Sequence, residues 1–200
     1  MKKLVVTLTL LISVLIMANG QFTKLGGGLG FNSGFQFNNE DGSDHKTGNP
    51  IIFLTGIYEL SLPVHISPSV NIYIPNITKL DLVDYSEKYS VWAYSFDING
   101  HYVFNSLDRF EFYGLAGLNF LLLKRKSTYE GIEVAEPQVF KDNDNALGLN
   151  IGAGSYIKLR ETFDLFVELK GIISSQFQFV ATGGILLNID WMKKNENSDL

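Results

Sequence analysis

The stretch Ser90–Phe104 alternates large apolar side chains with small or polar ones, and this pattern constrains the fold more than any other feature. It reads SVWAYSFDINGHYVF: large apolar residues stand at every second position from Trp92 except at Gly100, and Ala93, Ser95 and Asp97 fall between them. A period of two residues predicts an extended strand with one apolar and one polar face. The face that points inward decides what kind of β-protein the chain forms.

The first twenty residues have a charge and hydropathy pattern of their own. Two lysines are followed by an apolar run of 14 residues, Leu4–Met17, and then by small residues. This order predicts a secretory signal peptide over 1–20 that is cleaved before Gln21. The alternative, a membrane-anchoring helix, is disfavoured because spanning a bilayer takes about 18 apolar residues or more.

The composition excludes several classes of protein. Cysteine is absent, so the chain has neither disulfides nor thiolate metal sites. No motif indicates a metal or an organic cofactor, and we expect none. Without the predicted signal peptide the chain has 14 basic and 21 acidic residues, a net charge of −7, which argues against a nucleic-acid partner. Abundant glycine and aromatic residues, with only 18% charged residues, favour a β-rich chain.

The alternation recurs along the rest of the chain, and no segment there has a helical period. It predicts eight strands, near 23–36, 51–62, 64–74, 90–104, 110–122, 146–159, 163–173 and 176–190. Short joints alternate with long polar loops, at 37–50, 75–89 and 123–145. The sequence therefore predicts an all-β fold, an eight-stranded antiparallel up-and-down barrel over 21–191, with a polar tail over 192–200.

Volume decides which face of these strands is the interior. An eight-stranded barrel encloses only enough space for side chains to fill it. The many bulky apolar residues cannot all point inward, whereas the opposite face carries small residues, among them Gly26, Gly28, Gly30, Gly148 and Gly152. We therefore expect the polar, glycine-rich face to line the interior and the apolar face to contact lipid.

The positions of the aromatic residues also indicate a membrane barrel. One outward group lies near the short joints: Tyr102, Phe104, Phe110, Phe112, Phe163 and Trp191. A second outward group lies near the long loops: Phe31, Phe35, Trp92, Tyr94, Phe120, Phe177 and Phe179. Two aromatic belts around an aliphatic band are typical of a transmembrane β-barrel with two membrane interfaces. They disfavour a soluble, lipocalin-like barrel.

In its signal peptide, amphipathic strands, short turns and longer loops, the chain resembles the small eight-stranded outer-membrane β-barrels of Gram-negative bacteria. This porin-like family is typified by outer-membrane proteins A and X. The resemblance covers 21–191 and implies short turns in the periplasm, long loops outside the cell and contact with outer-membrane lipid. It also implies passage through the secretion and barrel-assembly machinery. The family commonly ends its last strand on an aromatic residue; Trp191 has that place here, but the tail 192–200 follows it.

Nine charged residues fall on the predicted inner face, most of them toward the short turns: Lys24, Glu59, Asp97, Glu111, Lys158, Arg160, Asp164, Glu168 and Lys170. Paired acids in a cleft can serve acid–base catalysis. A simpler interpretation is that opposite charges satisfy one another in a narrow interior, where an unpaired charge is costly. We expect these residues to form a charge network that plugs the lumen, together with His65 and His101.

Two further motifs lie at the predicted outer end of the barrel. The adjacent Ser43, Asp44 and His45 have the residue types of a hydrolytic triad, but neighbouring residues cannot converge on a substrate by themselves. A solvated loop is therefore favoured at this position. The basic run Lys-Arg-Lys at 124–126 meets either the acidic headgroups of surface lipid or solvent.

The sequence thus favours a structural or surface-interaction barrel of the outer membrane that is not an enzyme. Any extracellular partner is expected to bind through loops 37–50, 75–89 and 123–145. A narrow porin for small solutes is the first alternative, and a lipid-modifying outer-membrane enzyme is the second. A conductance measurement separates the first two functions, and substitution of His45 tests the third.

Overall fold

The computed structural model describes residues 22–35, 48–61, 63–75, 77–81, 85–131 and 138–189. The predicted signal peptide, the motif at 43–45, Trp191 and the polar tail lie outside these residues. The strands are β1 (Phe22–Asn32), β2 (Pro50–Ser61), β3 (Val64–Tyr73), β4 (Ile77–Asp81), β5 (Tyr85–Leu107), β6 (Phe110–Gly131), β7 (Gln138–Lys158), β8 (Phe163–Ile173) and β9 (Gln178–Asn188). In this part of the chain, no helix is both long enough and apolar enough to cross a membrane.

Eight of these strands close into an antiparallel barrel. Strands that follow one another along the chain are paired from β1 to β3 and from β5 to β9, and β3 pairs with β5. The pairing of β1 with β9 completes the ring. In the described residues β4 pairs with β5 alone and stands outside the ring. The predicted eight-stranded antiparallel barrel is confirmed.

The inner and outer faces are those that the alternation predicts. On β5, Asp97 and Asn99 are each 2% exposed, whereas Phe96 and Ile98 are 47% and 59% exposed. The same alternation continues around the barrel, so that Leu, Ile, Val and aromatic side chains cover the outer face. Such a surface is unfavourable in water and stable in contact with lipid.

The interior is more apolar than the sequence predicts. Tyr73, Tyr113 and Tyr156 are almost completely buried there, as are Leu121 and Leu123. The inward position of the two leucines is hidden in an unbroken run of leucine, in which inner and outer positions carry the same side chain. A closed barrel of this size has to be filled at close-packed density, and large apolar side chains fill it beside the polar ones.

Glycines of the inner face permit the local geometry of the seam between the first and last strands. Gly28 of β1 pairs with Gly184 of β9. A Cβ atom built on Gly28 would lie 2.6 Å from Cα of Gly184 and would also meet the carbonyl oxygen of Gly183. Because these neighbours are backbone atoms, even alanine at this position requires a shift of one strand.

Three strands are much longer than the sequence predicts. β5, β6 and β7 contain 23, 22 and 21 residues. Together with β4 they occupy most of the segments 75–89 and 123–145, so the prediction of long loops there is wrong. The ladder continues because the hydrogen bonds between strands join backbone groups and need no apolar side chain. Most of the first predicted loop, 37–50, lies outside the described residues.

We refer to the part of the sheet that continues beyond the barrel wall as the extension. It consists of β4, residues 85–92 of β5, residues 124–131 of β6 and residues 138–143 of β7. On β5 the pairing with β3 starts only at Ala93, and on β7 the pairing with β8 starts only at Leu149. The extension is therefore an open four-stranded sheet at the end of the barrel opposite the short turns.

Candidate functional site

A buried lysine joins two acidic side chains inside the lumen. Nζ of Lys170 lies 2.8 Å from Oδ2 of Asp97 and 3.4 Å from Oε1 of Glu168. The three side chains are 5%, 1% and 8% exposed, respectively. Lys170 and Glu168 belong to β8 and Asp97 to β5, so the shorter contact crosses the lumen. Charges buried to this extent are tolerated when they are paired and hydrogen-bonded.

Side-chain amides complete the shell around the Asp97 carboxylate. Asn71 of β3 donates a hydrogen bond of 3.0 Å to Oδ2, and Asn119 of β6 donates one to Oδ1. Asn71 also donates to the hydroxyl oxygen of Ser95, at 2.9 Å. Together with Lys170, these donors bring four strands of the barrel to one carboxylate. The carboxylate therefore has the partners that a buried charge requires.

A stack of aromatic rings lies beside this cluster. The ring of His101 stacks on Tyr113 with centroids 4.4 Å apart, and Tyr113 stacks on Tyr156 at the same distance. Nδ1 of His101 is hydrogen-bonded to the hydroxyl group of Tyr156. The hydroxyl group of Tyr113 donates a bond of 3.2 Å to Glu168, which links the stack to the charged cluster. The alternation places these tyrosines on the inner face, but it does not reveal the stacking.

Two more ion pairs lie toward the short-turn end. Lys24 of β1 contacts Asp164 of β8 at 2.7 Å, and its ammonium group also lies 5.6 Å from the ring centroid of Tyr156. Lys158 pairs with Glu111 at the end of the barrel, where its side chain is 46% exposed. The structure thus brings seven of the nine predicted charges into ion pairs.

The other two predicted members lie at the rim. Glu59 stands near the end of β2 and Arg160 in the connection between β7 and β8, and both are exposed. Neither is in an ion pair with a residue of the described chain. A side chain at a strand end has the inward alternation but reaches solvent, so these two residues lie outside the network.

A small cavity lies within the polar interior. Its volume is about 20 Å³, and residues lining it include Thr55, Ser67, Asn99, His101 and Lys170. Nε2 of His101 is buried and has no hydrogen-bonding partner among the described residues. A polar cavity holds a water molecule when about 10–15 Å³ is accessible to it. The cavity therefore has room for water and none for a metabolite.

The chemistry of the interior follows from these contacts. Its carboxylates are neutralised by lysines and by hydrogen-bond donors, which suits them to hold strands together. Among the described residues, no group of three His, Asp or Glu side chains could hold a metal ion.

The predicted aromatic belts lie on the outer face for the most part. The exposed members are Phe31, Trp92, Tyr102, Phe104, Phe110, Phe120, Phe177 and Phe179. Tyr94, Phe112 and Phe163 are partly exposed, and Trp191 lies outside the described residues. Pairs of neighbouring rings are in contact, such as Phe177 and Phe179 with centroids 5.0 Å apart.

Phe35 was predicted in the outer aromatic belt, and this prediction is wrong. It is 2% exposed and packs edge-on against Tyr73 inside the barrel, with ring centroids 5.3 Å apart. β1 ends at Asn32, and Gly34 has a φ of 99°, a backbone conformation that favours glycine. The chain therefore leaves the strand before Phe35, and the alternation of β1 no longer applies to it.

The described side chains on the outer face of the extension include a group of four lysines. Lys88 of β5, Lys124 and Lys126 of β6 and Lys141 of β7 are all exposed. They continue the alternation that sets Trp92 and Phe120 outward in the barrel wall. Only the basic run at 124–126 was conspicuous in the sequence, because the ladder register that adds the other two lysines is not a local property.

A sequence profile of the family described as Outer membrane protein beta-barrel domain matches residues 4–191. The match covers nearly the whole chain. No curated protein sequence matches it.

Solved structures show the same architecture. The attachment invasion locus protein Ail of Yersinia pestis is similar, with a TM-score of 0.51 at 12% identity over 83% of this chain and 98% of that one. Ail in complex with the heparin analogue sucrose octasulfate gives 0.50 at 14% identity, over 82% and 97%. Neisserial surface protein A gives 0.51 at 10% identity, over 82% and 96%. At these identities the likeness concerns the fold alone.

Proposed function

Because the chain belongs to the family of outer membrane protein β-barrel domains and is located in the outer membrane, we propose that it is a surface-interaction barrel. In this proposal it catalyses no reaction, its lumen is plugged by its own side chains and its extension projects outside the cell. It reaches the membrane through the secretion and barrel-assembly machinery. The observation that carries the proposal is the contrast between a filled interior and an open sheet at one end.

The contacts of the interior support the plug. The Lys170–Asp97 pair crosses the lumen, and the asparagines on Asp97 reach it from two further strands. Toward the extension, buried Leu121 and Leu123 occupy the interior. Eight strands leave no space for both these side chains and a water-filled channel.

The form of the extension supports interaction at the surface. Among the described residues, β4 and residues 138–148 of β7 each have one edge that pairs with no other strand. Backbone N–H and C=O groups on such an edge can pair with an extended segment of another protein. Ail, one of the similar structures, is an attachment invasion locus protein that has been solved with a heparin analogue. These features favour a surface role over transport.

A planar-bilayer recording tests the plug. We expect the purified wild-type protein to give no steady conductance, and Lys170→Ala to give small, intermittent leaks because it frees Asp97 and Glu168 in the lumen. Lys88→Ala, on the extension, is the control and should resemble the wild type. Stable ohmic channels of porin size in the wild type would contradict the plug and favour the narrow-porin alternative.

The absence of cysteine from the sequence allows a clean test of orientation. Lys141→Cys places one thiol on the extension, and Arg109→Cys places one in the short turn between β5 and β6. On intact cells, a maleimide that cannot cross membranes should label the first variant and leave the second unlabelled until the cells are broken. The reverse labelling would place the extension in the periplasm.

A further inference from the structure

We infer that four lysines on the outer face of the extension, Lys88, Lys124, Lys126 and Lys141, bind the phosphate groups of outer-leaflet lipid A. We refer to them as the lysine patch. The inference rests on the proposed orientation, in which the extension lies outside the cell. It adds to that proposal a ligand, a position on the barrel and a set of contacts.

The strand register brings the four lysines together. Lys126 of β6 is directly opposite Lys141 of β7 in the ladder. Lys124 is two residues from Lys126 on the same face, about 7 Å along the strand. Lys88 of β5 is opposite Thr128 and therefore diagonal to Lys126. Side chains in direct and diagonal positions on one face of a sheet are within reach of a common ligand.

The patch begins at the edge of the apolar outer face. Trp92, Lys124 and Asn143 share one row of the ladder. In the next outward-facing row toward the barrel Tyr94 is opposite Leu122, and in the row after that Phe120 is opposite Leu147, which is 76% exposed. Tryptophan at the end of an apolar surface marks the level of the lipid headgroups. The lysines therefore stand at the depth where lipid A carries its phosphates.

The lysines of the patch have no acidic partner among the described side chains. Like charges directly opposite each other in a sheet, as in the Lys126–Lys141 pair, are destabilising. An anion between them removes that repulsion, and a phosphate monoester accepts hydrogen bonds from several ammonium groups at once.

Lipid is favoured over a soluble polyanion because the patch lies beside the wall and faces outward. Ammonium groups on long, flexible stems can reach down to the membrane surface from this position. A soluble sulfated polysaccharide would bind more readily at the free end of the extension, away from the hydrocarbon. The patch also lies on one side of the barrel, on neighbouring strands, which suits one or two lipid molecules and not a complete ring.

The test uses the folded full-length protein in a neutral detergent and lipid A with both phosphates as the probe. Binding is followed by tryptophan emission, since Trp92 shares a row with Lys124. We expect saturable binding that the double substitution Lys126→Gln/Lys141→Gln weakens about tenfold or more, because two cations leave an anionic lipid site. Lys126→Arg/Lys141→Arg should retain it. Arg109→Gln/Arg160→Gln, which removes two exposed charges at the opposite rim, should leave the affinity unchanged.

Three results would overturn the inference. The first is equal affinity of the wild type and the glutamine variant, with both shown to be folded by heat-modifiability gels. The second is undiminished binding of lipid A stripped of its phosphates. The third is tight binding of sucrose octasulfate to the lysines with no binding of lipid A, which would assign the patch to a soluble polyanion. The purified protein has no orientation, so failure here is distinct from failure of the cysteine labelling.

Discussion

β7 passes from the extension into the barrel wall without a break in its ladder with β6, yet its side chains change character within a few residues. In the wall, Asn150 is 2% exposed and Ile151 is 60% exposed, so polar and apolar side chains alternate across the strand. In the extension, Lys141 and Asn143 are exposed and polar. The backbone ladder is therefore independent of the membrane, whereas the side-chain alternation depends on where the membrane lies.

The two regions also differ in how strongly a charged side chain depends on its partners. Lys170 in the wall is almost completely buried and depends on Asp97 and Glu168. Lys141 in the extension is exposed and forms no ion pair with a described residue. The same side chain is therefore part of a coupled network in one region and independent in the other. Matched substitutions in the two regions measure this difference directly.

The largest effect is expected from removing the buried lysine. Lys170→Ala leaves two carboxylates unpaired in the interior and should destabilise the folded barrel by about 3–5 kcal/mol. Lys141→Ala should change stability by less than about 0.5 kcal/mol, as exposed positions usually do. Denaturant titrations of both variants in lipid vesicles give the two free energies of unfolding.

A second substitution shows whether the loss is electrostatic. Lys170→Met/Asp97→Asn restores volume and removes one of the two unpaired acids, so it should recover part of the lost stability. If Lys170→Ala were as mild as Lys141→Ala, the interior would not behave as a coupled network.

A smaller effect is expected from charging the lipid-facing surface. Ile151→Arg on β7 places a cation against hydrocarbon and should cost about 2–4 kcal/mol near the middle of the membrane. Asn143→Arg, on the same face of the same strand, should cost close to nothing because it lies beyond the apolar surface. Refolding yield and unfolding free energy in vesicles check both, and equal costs would mean that the outer face is assigned wrongly.

The smallest effect concerns the seam, a feature that the open extension lacks. Gly28→Ala forces a Cβ atom against the backbone of β9 and should destabilise the barrel by about 1–3 kcal/mol. Gly114→Ala is the control, since no atom lies within 4 Å of the added Cβ; it should be neutral or stabilise by up to about 1 kcal/mol. Thermal unfolding on heat-modifiability gels ranks the stabilities of the two variants. If Gly28→Ala were as stable as Gly114→Ala, steric crowding would not explain the glycines at the seam.

The faces of the strands could be predicted from the sequence because alternation is a local property. From Trp92 to Asn99 each residue carries its own signal for inside or outside. The lengths of β5, β6 and β7 could not be predicted. Beyond the membrane a strand does not need one apolar face, so the sequence of a polar strand cannot be told from that of a loop. Leu121 lacked a clear signal because it begins the run 121–123, in which inner and outer positions both carry leucine.

The residues of the candidate site could be predicted from the sequence, but the contacts between them could not. Asp97, Glu168 and Lys170 were on the expected face, but the contact of Lys170 with Asp97 depends on strands three places apart around the ring. Arg160 stands at an inward position of the alternation but lies at the rim, beyond the end of β7. The position of a residue along the barrel axis is set by the pairing of neighbouring strands. Such register comes from the whole ladder, and no local pattern carries it.

The one-sided position of the extension makes the molecule asymmetric about the membrane normal. Among the described strands, only β5, β6 and β7 extend past the barrel wall, with β4 beside them, while β1 ends at Asn32 and β8 at Ile173. A bare cylinder can turn about its axis without presenting anything new to a neighbour. The extension projects on one side of this barrel, so a partner in the same leaflet can contact it only from that side. The frequency of such contacts then depends on rotational diffusion of the protein about the membrane normal.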